Sequence, residues 1–126
     1  SDGTNRLMDL IPLLGMAIKK NRVVVIDEIN RSLHSALTHQ FIKVFFQQTS
    51  DSSESQLIFS THDILLLDSG MFGKKEIWFL DKRDGVSSLY PLDKFKLPAD
   101  MKDIGQNYML GRFDAIPKIW HDGKAK

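Results

Sequence analysis

The sequence predicts an α/β fold in which a mainly parallel sheet is flanked by helices and ends in a β-hairpin and a helical tail. Short apolar runs rich in β-branched residues alternate with amphipathic segments of helical spacing. The runs lack polar alternation, which is typical of strands buried on both faces of a parallel sheet, and crossover helices connect such strands. The stretch KRDGVS between two late runs predicts the hairpin. A length of 126 residues fits one domain, residues 1–126.

The first half of the chain gives the order helix, strand, helix, strand. Pro12 is expected to kink the first helix unless it lies near the helix start, because proline lacks an amide hydrogen. Residues 23–26 (VVVI) predict a strand, residues 32–48 a second helix, and residues 57–59 a second strand after a polar loop. The apolar face of the first helix consists of Leu7, Leu10, Ile11, Leu14 and Ile18.

The second half predicts a short helix near residues 64–67, strands over 77–80 and 87–92, and helical then irregular structure from residue 100. Arg112 is expected to pack with its neighbours or, alternatively, to reach a phosphate or a carboxylate. Residues 120–126 are expected to form a frayed end. The apolar side chains expected to pack on the sheet from this region are Tyr108, Phe113, Ile116 and Ile119.

Composition excludes several classes of function. The net charge is +1, and no basic stretch is interleaved with aromatic residues, so no nucleic-acid partner is expected. The absence of cysteine excludes disulfides and thiolate metal sites. No apolar run is long enough to span a membrane and no signal-peptide pattern begins the chain, so a cytoplasmic location is expected.

Two adjacent carboxylates, Asp27 and Glu28, follow the first predicted strand. Open α/β sheets bind ligands beyond the carboxyl ends of their strands, so this position favours a site. One carboxylate could hold Mg²⁺, which prefers oxygen ligands, and the other could orient or deprotonate a water molecule. Four apolar residues followed by Asp-Glu form the Walker B pattern of ATPases. The alternative is a strand end that carries solvated carboxylates.

Two further motifs lie close to strand or helix ends. His62, in FSTHD, follows the second predicted strand at the same edge of the sheet, where an imidazole could donate a hydrogen bond to a phosphate oxygen. Alternatively, its ring is satisfied by local backbone. In SDGT, Gly3 would allow backbone amides to approach a phosphate, whereas Ser1 and Thr4 could simply cap the first helix.

Together these motifs resemble the second half of an ABC-type ATPase nucleotide-binding domain, in which the signature motif, Walker B, the D-loop and the switch histidine occur in this order. More narrowly, the chain is similar to a group of bacterial AAA-domain predicted ATP-binding proteins of the ABC-ATPase type, which are related to the heads of chromosome-maintenance ATPases. The matching stretches are SDGT, DEINRSLH and GRFDAIP. The resemblance implies the C-terminal half of a P-loop NTPase-like fold and a cytoplasmic ATPase that uses ATP and Mg²⁺.

The resemblance also implies roles for individual residues. Asp27 would hold Mg²⁺, Glu28 would be the catalytic carboxylate for the attacking water, and His62 would sense the γ-phosphate. Ser1 and Gly3 would present the signature motif to the ATP of a partner subunit.

The D-loop would cross the interface of a head-to-head homodimer, and its implied nucleotide-site residues are Asn30, Ser32 and His34. Transporter and chromosome-maintenance relatives usually carry Asp where His34 stands. Asp2 replaces a glycine of the usual signature and would repel a phosphate unless it points away or pairs with a cation.

A P-loop, Gly-x-x-x-x-Gly-Lys-Ser/Thr, is missing from the sequence. The nearest stretch, GMFGKKE, has its glycines too close together and follows His62 instead of preceding the other motifs. The resemblance therefore implies an N-terminal lobe with Walker A outside these residues, and the chain alone is expected to be inactive. An alternative is a non-enzymatic interaction or regulatory module that keeps the ATPase fold. The resemblance implies phage defence or another DNA-related process as the role.

In the related ATPases the P-loop strand lies between the switch-histidine strand and the next one. On this sequence these are residues 57–60 and 77–81, so the strand between them is missing. The exposed backbone groups could be satisfied by direct pairing of the two strands, by a strand from another copy, or by the missing lobe itself if the chain is a proteolytic piece. We expect the second, an edge-paired or swapped dimer.

Overall fold

The computed structural model describes residues 1–98 and 100–115 and divides the chain into two compact units, Ser1–Asp63 and Ile64–Lys126. The first unit contains α1 (Asp2–Lys20), β1 (Val23–Ile26), α2 (Ser35–Gln48) and β2 (Gln56–Phe59). The second contains a 3₁₀ turn (Ile64–Leu66), β3 (Trp78–Arg83), β4 (Val86–Pro91), a second 3₁₀ turn (Leu92–Lys94) and α3 (Ile104–Met109). Among the described residues, no helix is long and apolar enough to cross a membrane.

Helix α1 begins and ends with recognisable caps. The Ser1 hydroxyl accepts a hydrogen bond from the Thr4 amide at 3.3 Å, and Asn21 ends the helix in the left-handed conformation, with φ of 49°. The helix continues past Pro12, although this residue offers no amide hydrogen to the Met8 carbonyl one turn earlier. Helix α1 is therefore continuous through Pro12, and the kink expected there stays a prediction.

Helix α2 begins three residues later than predicted, at Ser35 instead of residue 32. The reason is that residues 27–32 form turns, in which Glu28 and Ser32 have φ of 48° and 61°. His34 is the N-cap, and its Nδ1 accepts a hydrogen bond from the Ala36 amide at 3.2 Å. A long stretch of turn residues thus separates β1 from the crossover helix α2.

Strands β1 and β2 form a two-stranded parallel sheet, connected by α2, with Val23 opposite Gln56 and Ile26 opposite Phe59. The predicted strands and their crossover are confirmed. The prediction that both faces of β1 are buried is wrong: Val24 is 8% exposed, whereas Val25 is 71% exposed. Helix α1 contacts β1 and α2, so the core of this unit lies on one face of the sheet and the other face stays uncovered.

The hairpin of the second unit is confirmed. Strands β3 and β4 pair antiparallel, with Arg83 opposite Val86, and both turn residues, Asp84 and Gly85, have positive φ (50° and 79°). Two-residue hairpin turns of this kind match the right-handed twist of the strands, and Asp-Gly suits them because both residues tolerate positive φ.

Aromatic rings form the core of the second unit. Phe79 stacks on Phe113 with 5.1 Å between ring centroids and on Tyr108 with 5.6 Å. The Tyr90 hydroxyl donates to the Phe113 carbonyl oxygen at 2.5 Å. Burial, followed by the charges of nearby carboxylates, raises the pKa of Tyr90 above its ordinary value.

The expected packing of Tyr108 and Phe113 is thus confirmed, although their core lies on the hairpin instead of a larger parallel sheet. Arg112 Nη1 donates to Asn107 Oδ1, in line with the expectation that Arg112 packs locally. Ile116, Ile119 and the predicted frayed end at 120–126 lie outside the described residues.

The single, mainly parallel sheet is corrected to two separate two-stranded sheets in the described part of the chain. Only β1 and β2 are parallel, and β2 and β3 belong to different sheets. The two strands that were expected to flank a missing strand therefore do not pair directly. Among the described residues, the one strand that pairs with β3 is its hairpin partner β4, because the Asp84-Gly85 turn brings these two strands together.

Candidate active site

The site lies in the first unit, where the carboxyl ends of β1 and β2 lie side by side. The Ser60 amide donates to the Ile26 carbonyl at 3.1 Å, and the Ile29 amide donates to the Ser60 carbonyl at 3.0 Å. These two bonds continue the pairing of the strands past their ends. Since Ile26 lies opposite Phe59, the next positions, Asp27 and Ser60, come together at the edge of the sheet.

Ser60 links Asp27, the predicted Mg²⁺ ligand, to Glu28, the predicted catalytic carboxylate. Its hydroxyl donates to Asp27 Oδ1 and accepts a hydrogen bond from the Glu28 amide at 2.7 Å. One hydroxyl therefore orients the Asp27 carboxylate and fixes the backbone of the next residue. The Asp27 side chain is exposed, so a cation can approach it.

The donor set fits magnesium better than a metal that needs an all-protein cage. No cluster of three or more His, Cys, Asp or Glu side chains suited to a metal occurs within residues 1–98 and 100–115. Magnesium in nucleotide enzymes is typically held by one or two carboxylates and completed by phosphate oxygens and water. Asp27, exposed and oriented by Ser60, suits that mode of binding.

Glu28 occupies an uncommon backbone conformation for its residue type, with φ of 48°. The turn is held by the Arg31 amide, which donates to the Glu28 carbonyl at 2.9 Å, and by Arg6. Arg6 Nη2 lies 3.4 Å from the carbonyl oxygens of both Asp27 and Glu28. The Glu28 side chain is exposed, and no hydrogen bond to another described residue engages its carboxylate. The carboxylate is available to a water molecule or a ligand, while its backbone is fixed from three sides.

Asn30 connects His62 to the turn that contains Asp27 and Glu28. His62 Nε2 is 3.1 Å from Asn30 Nδ2, and the Thr61 hydroxyl donates to Asn30 Oδ1 at 2.8 Å. The residue two positions after β2 is thus tied to the turn that follows Asp27 and Glu28. The predicted meeting of these residues at one edge of the sheet matches the structure, since hydrogen bonds through Ser60 and Asn30 join both strand ends.

The first turn of α1 lies against the same turn region. A Cβ atom at Gly3 would be 2.9 Å from the Ser32 carbonyl oxygen, closer than such contacts normally occur. Glycine is therefore needed here for the close approach of the helix to residue 32. Ser1 is the N-cap of α1, so its hydroxyl already serves the Thr4 amide.

His34 and Asp2 take positions that clarify two departures from the related ATPases. As the N-cap of α2, His34 uses Nδ1 as the acceptor that an Asp carboxylate would supply at the same position. Asp2 lines a shallow surface depression together with a second carboxylate, Asp9, and two arginines, Arg6 and Arg31.

Two functional candidates, Arg6 and Ser60, were missed by sequence reasoning. Ser60 could have been found from the strand register, because aligning the two apolar runs places it opposite Asp27. Arg6 lies one helical turn after Gly3, on the side that faces the turn, but helical spacing alone does not show which carbonyl oxygens its guanidinium reaches.

Comparison with known proteins identifies the family to which the chain belongs. Residues 1–68 match the family model described as "AAA domain, putative AbiEii toxin, Type IV TA system", which covers more than half of the chain. The chain therefore belongs to this family of AAA-type ATPase domains. The match contains every predicted site residue, from Ser1 to His62, and supports a nucleotide-binding, ATPase-type function. No significant match was found among curated proteins or among solved structures.

Proposed function

We propose that this chain is the C-terminal lobe of an ABC-type ATPase domain that binds and hydrolyses ATP as a head-to-head homodimer. The observation that carries the proposal is the joining of two strand ends, where Ser60 links Asp27 to the Glu28 backbone and Asn30 links the same turn to His62. Family membership adds that the domain is of the AAA type. Because the sequence contains no P-loop, Walker A is supplied by a segment outside these 126 residues.

In the proposed reaction each residue has a separate task. Asp27, oriented by Ser60, would hold Mg²⁺, which when bound neutralises charge on the phosphates of ATP. Glu28 accepts a proton from the attacking water, and its exposed carboxylate is free to do so. His62 donates a hydrogen bond to a phosphate oxygen.

The dimer places the remaining residues at the interface. Ser1 and Gly3 belong to the signature motif that faces the ATP of the partner subunit. The D-loop extends along the interface and contributes Asn30, Ser32 and His34. The family description names a toxin of a type IV system, and we propose a role in phage defence for this ATPase on the same basis.

Glu28→Gln tests the enzymatic proposal in the protein that also contains its Walker A segment. We expect ATP binding to persist and turnover to fall about a hundredfold or more, because the base is lost while shape and size are kept. Glu54→Gln is the matched control, since Glu54 is an exposed carboxylate in the loop before β2. Turnover near that of the unchanged protein would remove Glu28 from the mechanism.

The second candidate function is a non-enzymatic interaction module, which the missing P-loop favours. Calorimetric titration of the chain alone tests the placement of Walker A, and a hydrolysis assay of the Walker A-containing protein tests the enzymatic function. The 126-residue chain alone should bind Mg-ATP only weakly, because the P-loop amides and lysine are missing. Micromolar binding by the chain alone would refute the placement of Walker A elsewhere. Absence of hydrolysis in the Walker A-containing protein would favour the module.

A further inference from the structure

The amide of Asn30 is held between two partners that together define its orientation. Thr61 Oγ1 accepts a hydrogen bond from the Asp63 amide at 3.0 Å, and it lies 2.8 Å from Asn30 Oδ1. With its oxygen already accepting from a backbone amide, the Thr61 hydroxyl proton is available for Asn30 Oδ1. A flipped Asn30 would instead direct a second N–H donor at Thr61 Oγ1 and leave that proton without this acceptor.

The orientation of Asn30 determines which nitrogen of His62 carries the proton. Asn30 Nδ2, 3.1 Å from His62 Nε2, can only donate. Nε2 must therefore accept, and in the neutral ring the proton lies on Nδ1. We propose that Asn30 is a positioning residue that holds His62 in the Nδ1–H tautomer, so that Nδ1 is the atom that donates to a ligand oxygen. This inference deepens the proposed function, in which His62 contacts a phosphate.

Through Asn30, the tautomer of His62 depends on the turn that contains Asp27 and Glu28. Asn30 lies two residues after Glu28, and the Arg31 and Leu33 amides donate to the carbonyls of Glu28 and Asn30 at 2.9 and 3.0 Å. A rearrangement of this turn would withdraw Nδ2 from His62 and release the ring to either tautomer. The state of His62 thus depends on the conformation of residues 27–33.

His34 is an internal reference for His62, because its ring is expected to be in the opposite tautomer. Its Nδ1 accepts from the Ala36 amide, so the neutral ring carries its proton on Nε2. The two histidines are both exposed and both lie in the first unit, yet they are expected to be in different tautomers. A measurement that distinguishes tautomers therefore has a built-in comparison.

The test is a long-range ¹⁵N–¹H correlation spectrum of the 126-residue chain without nucleotide at pH 8, where an ordinary imidazole is neutral. The His62 ring signals are assigned by their loss in His62→Gln. We expect the Nδ1–H pattern for His62 and the Nε2–H pattern for His34. The Nε2–H pattern for His62 in the unchanged protein would overturn the proposal.

Three variants test whether Asn30 is the cause. Asn30→Asp keeps the shape but can only accept, so His62 should change to the Nε2–H form while His34 stays unchanged. Thr61→Val removes the hydroxyl that orients Asn30 and should mix the tautomers, whereas Thr61→Ser should preserve them. A purely structural role for Asn30 would lower stability without reversing the tautomer, and an unchanged tautomer in folded Asn30→Asp would refute the inference. Because none of these readouts needs ATP, their failure is distinct from failure of the proposed ATPase function.

Discussion

Ser60→Ala tests whether one hydroxyl organises the strand ends. The hydroxyl makes a hydrogen bond to the Asp27 carboxylate and accepts one from the Glu28 amide. Hydrogen bonds to charged groups contribute about 1.5–3 kcal/mol and ordinary ones about 0.5–1.5 kcal/mol. Both side chains are exposed, so water can replace part of this contribution. We therefore expect the free energy of unfolding to fall by about 1–2 kcal/mol.

The measurement is urea denaturation followed by circular dichroism at 222 nm. Helices α1 and α2, with 19 and 14 residues, dominate this signal and both belong to the first unit. Ser60→Thr is the matched control, since it keeps a hydroxyl at the strand end and should lose little stability. If Ser60→Ala and Ser60→Thr unfold at the same urea concentration, the hydroxyl does not organise the site.

Two other substitutions test the cores of the two units. Thr38 in α2 is completely buried and no described residue forms a hydrogen bond with its Oγ1, so Thr38→Val should raise the free energy of unfolding by about 1 kcal/mol, whereas Thr38→Ser should lower it. In the second unit, burial and the charges of Asp81 and Asp114 raise the pKa of Tyr90. The neutral hydroxyl is therefore favoured in the folded state, and its contribution to stability is complete below about pH 10, the ordinary pKa of tyrosine. This contribution is lost as the pH rises through the pKa of Tyr90 in the folded state. Urea midpoints are measured by tryptophan fluorescence between pH 7 and 11, and above pH 10 they should fall less steeply in Tyr90→Phe. At pH 7 this variant should lose about 1 kcal/mol with its bond to the Phe113 carbonyl. An unchanged slope above pH 10 would contradict this interpretation, as would a loss of stability in Thr38→Val.

Local sequence patterns predicted most elements but not how the sheet is covered. Periodicity located α1, β1, α2 and β2, and Asp84-Gly85 fixed the hairpin, because these signals depend on neighbouring residues. The apolar run of β1 could not show that Val25 faces solvent, since an uninterrupted run reads the same whether one or both faces are covered. Likewise, β3 carried no signal that its only strand neighbour in the described residues would be β4.

In the candidate site, too, sequence patterns predicted some residues but not the contacts that hold them. Asp27, Glu28 and His62 were predictable because strand ends in a parallel sheet meet at one edge. The start of α2 was not, because the positive φ of Glu28 and Ser32 depends on contacts from other parts of the unit. Arg6 supplies one of these contacts, from a helix about twenty residues earlier in the chain. The contacts of Asn30 with Thr61 and His62 depend on side-chain distances of 2.8 and 3.1 Å, which residue spacing does not encode.

The proline in the middle of α1 divides the helix into two parts of unequal local stability. The part before Pro12 has one buried side chain, Leu10, and carries Arg6 at the site, whereas the part after it has Leu14 and Ala17 in the core. Because Pro12 donates no hydrogen bond to the Met8 carbonyl, one bond of the ladder is missing, and opening the first part breaks one bond fewer than it would in an uninterrupted helix. Amide hydrogen exchange should therefore be faster across the first ten residues than around Leu14 and Ala17. Arg6, which contacts the carbonyl oxygens of Asp27 and Glu28, therefore lies in the part of the helix that we expect to open first.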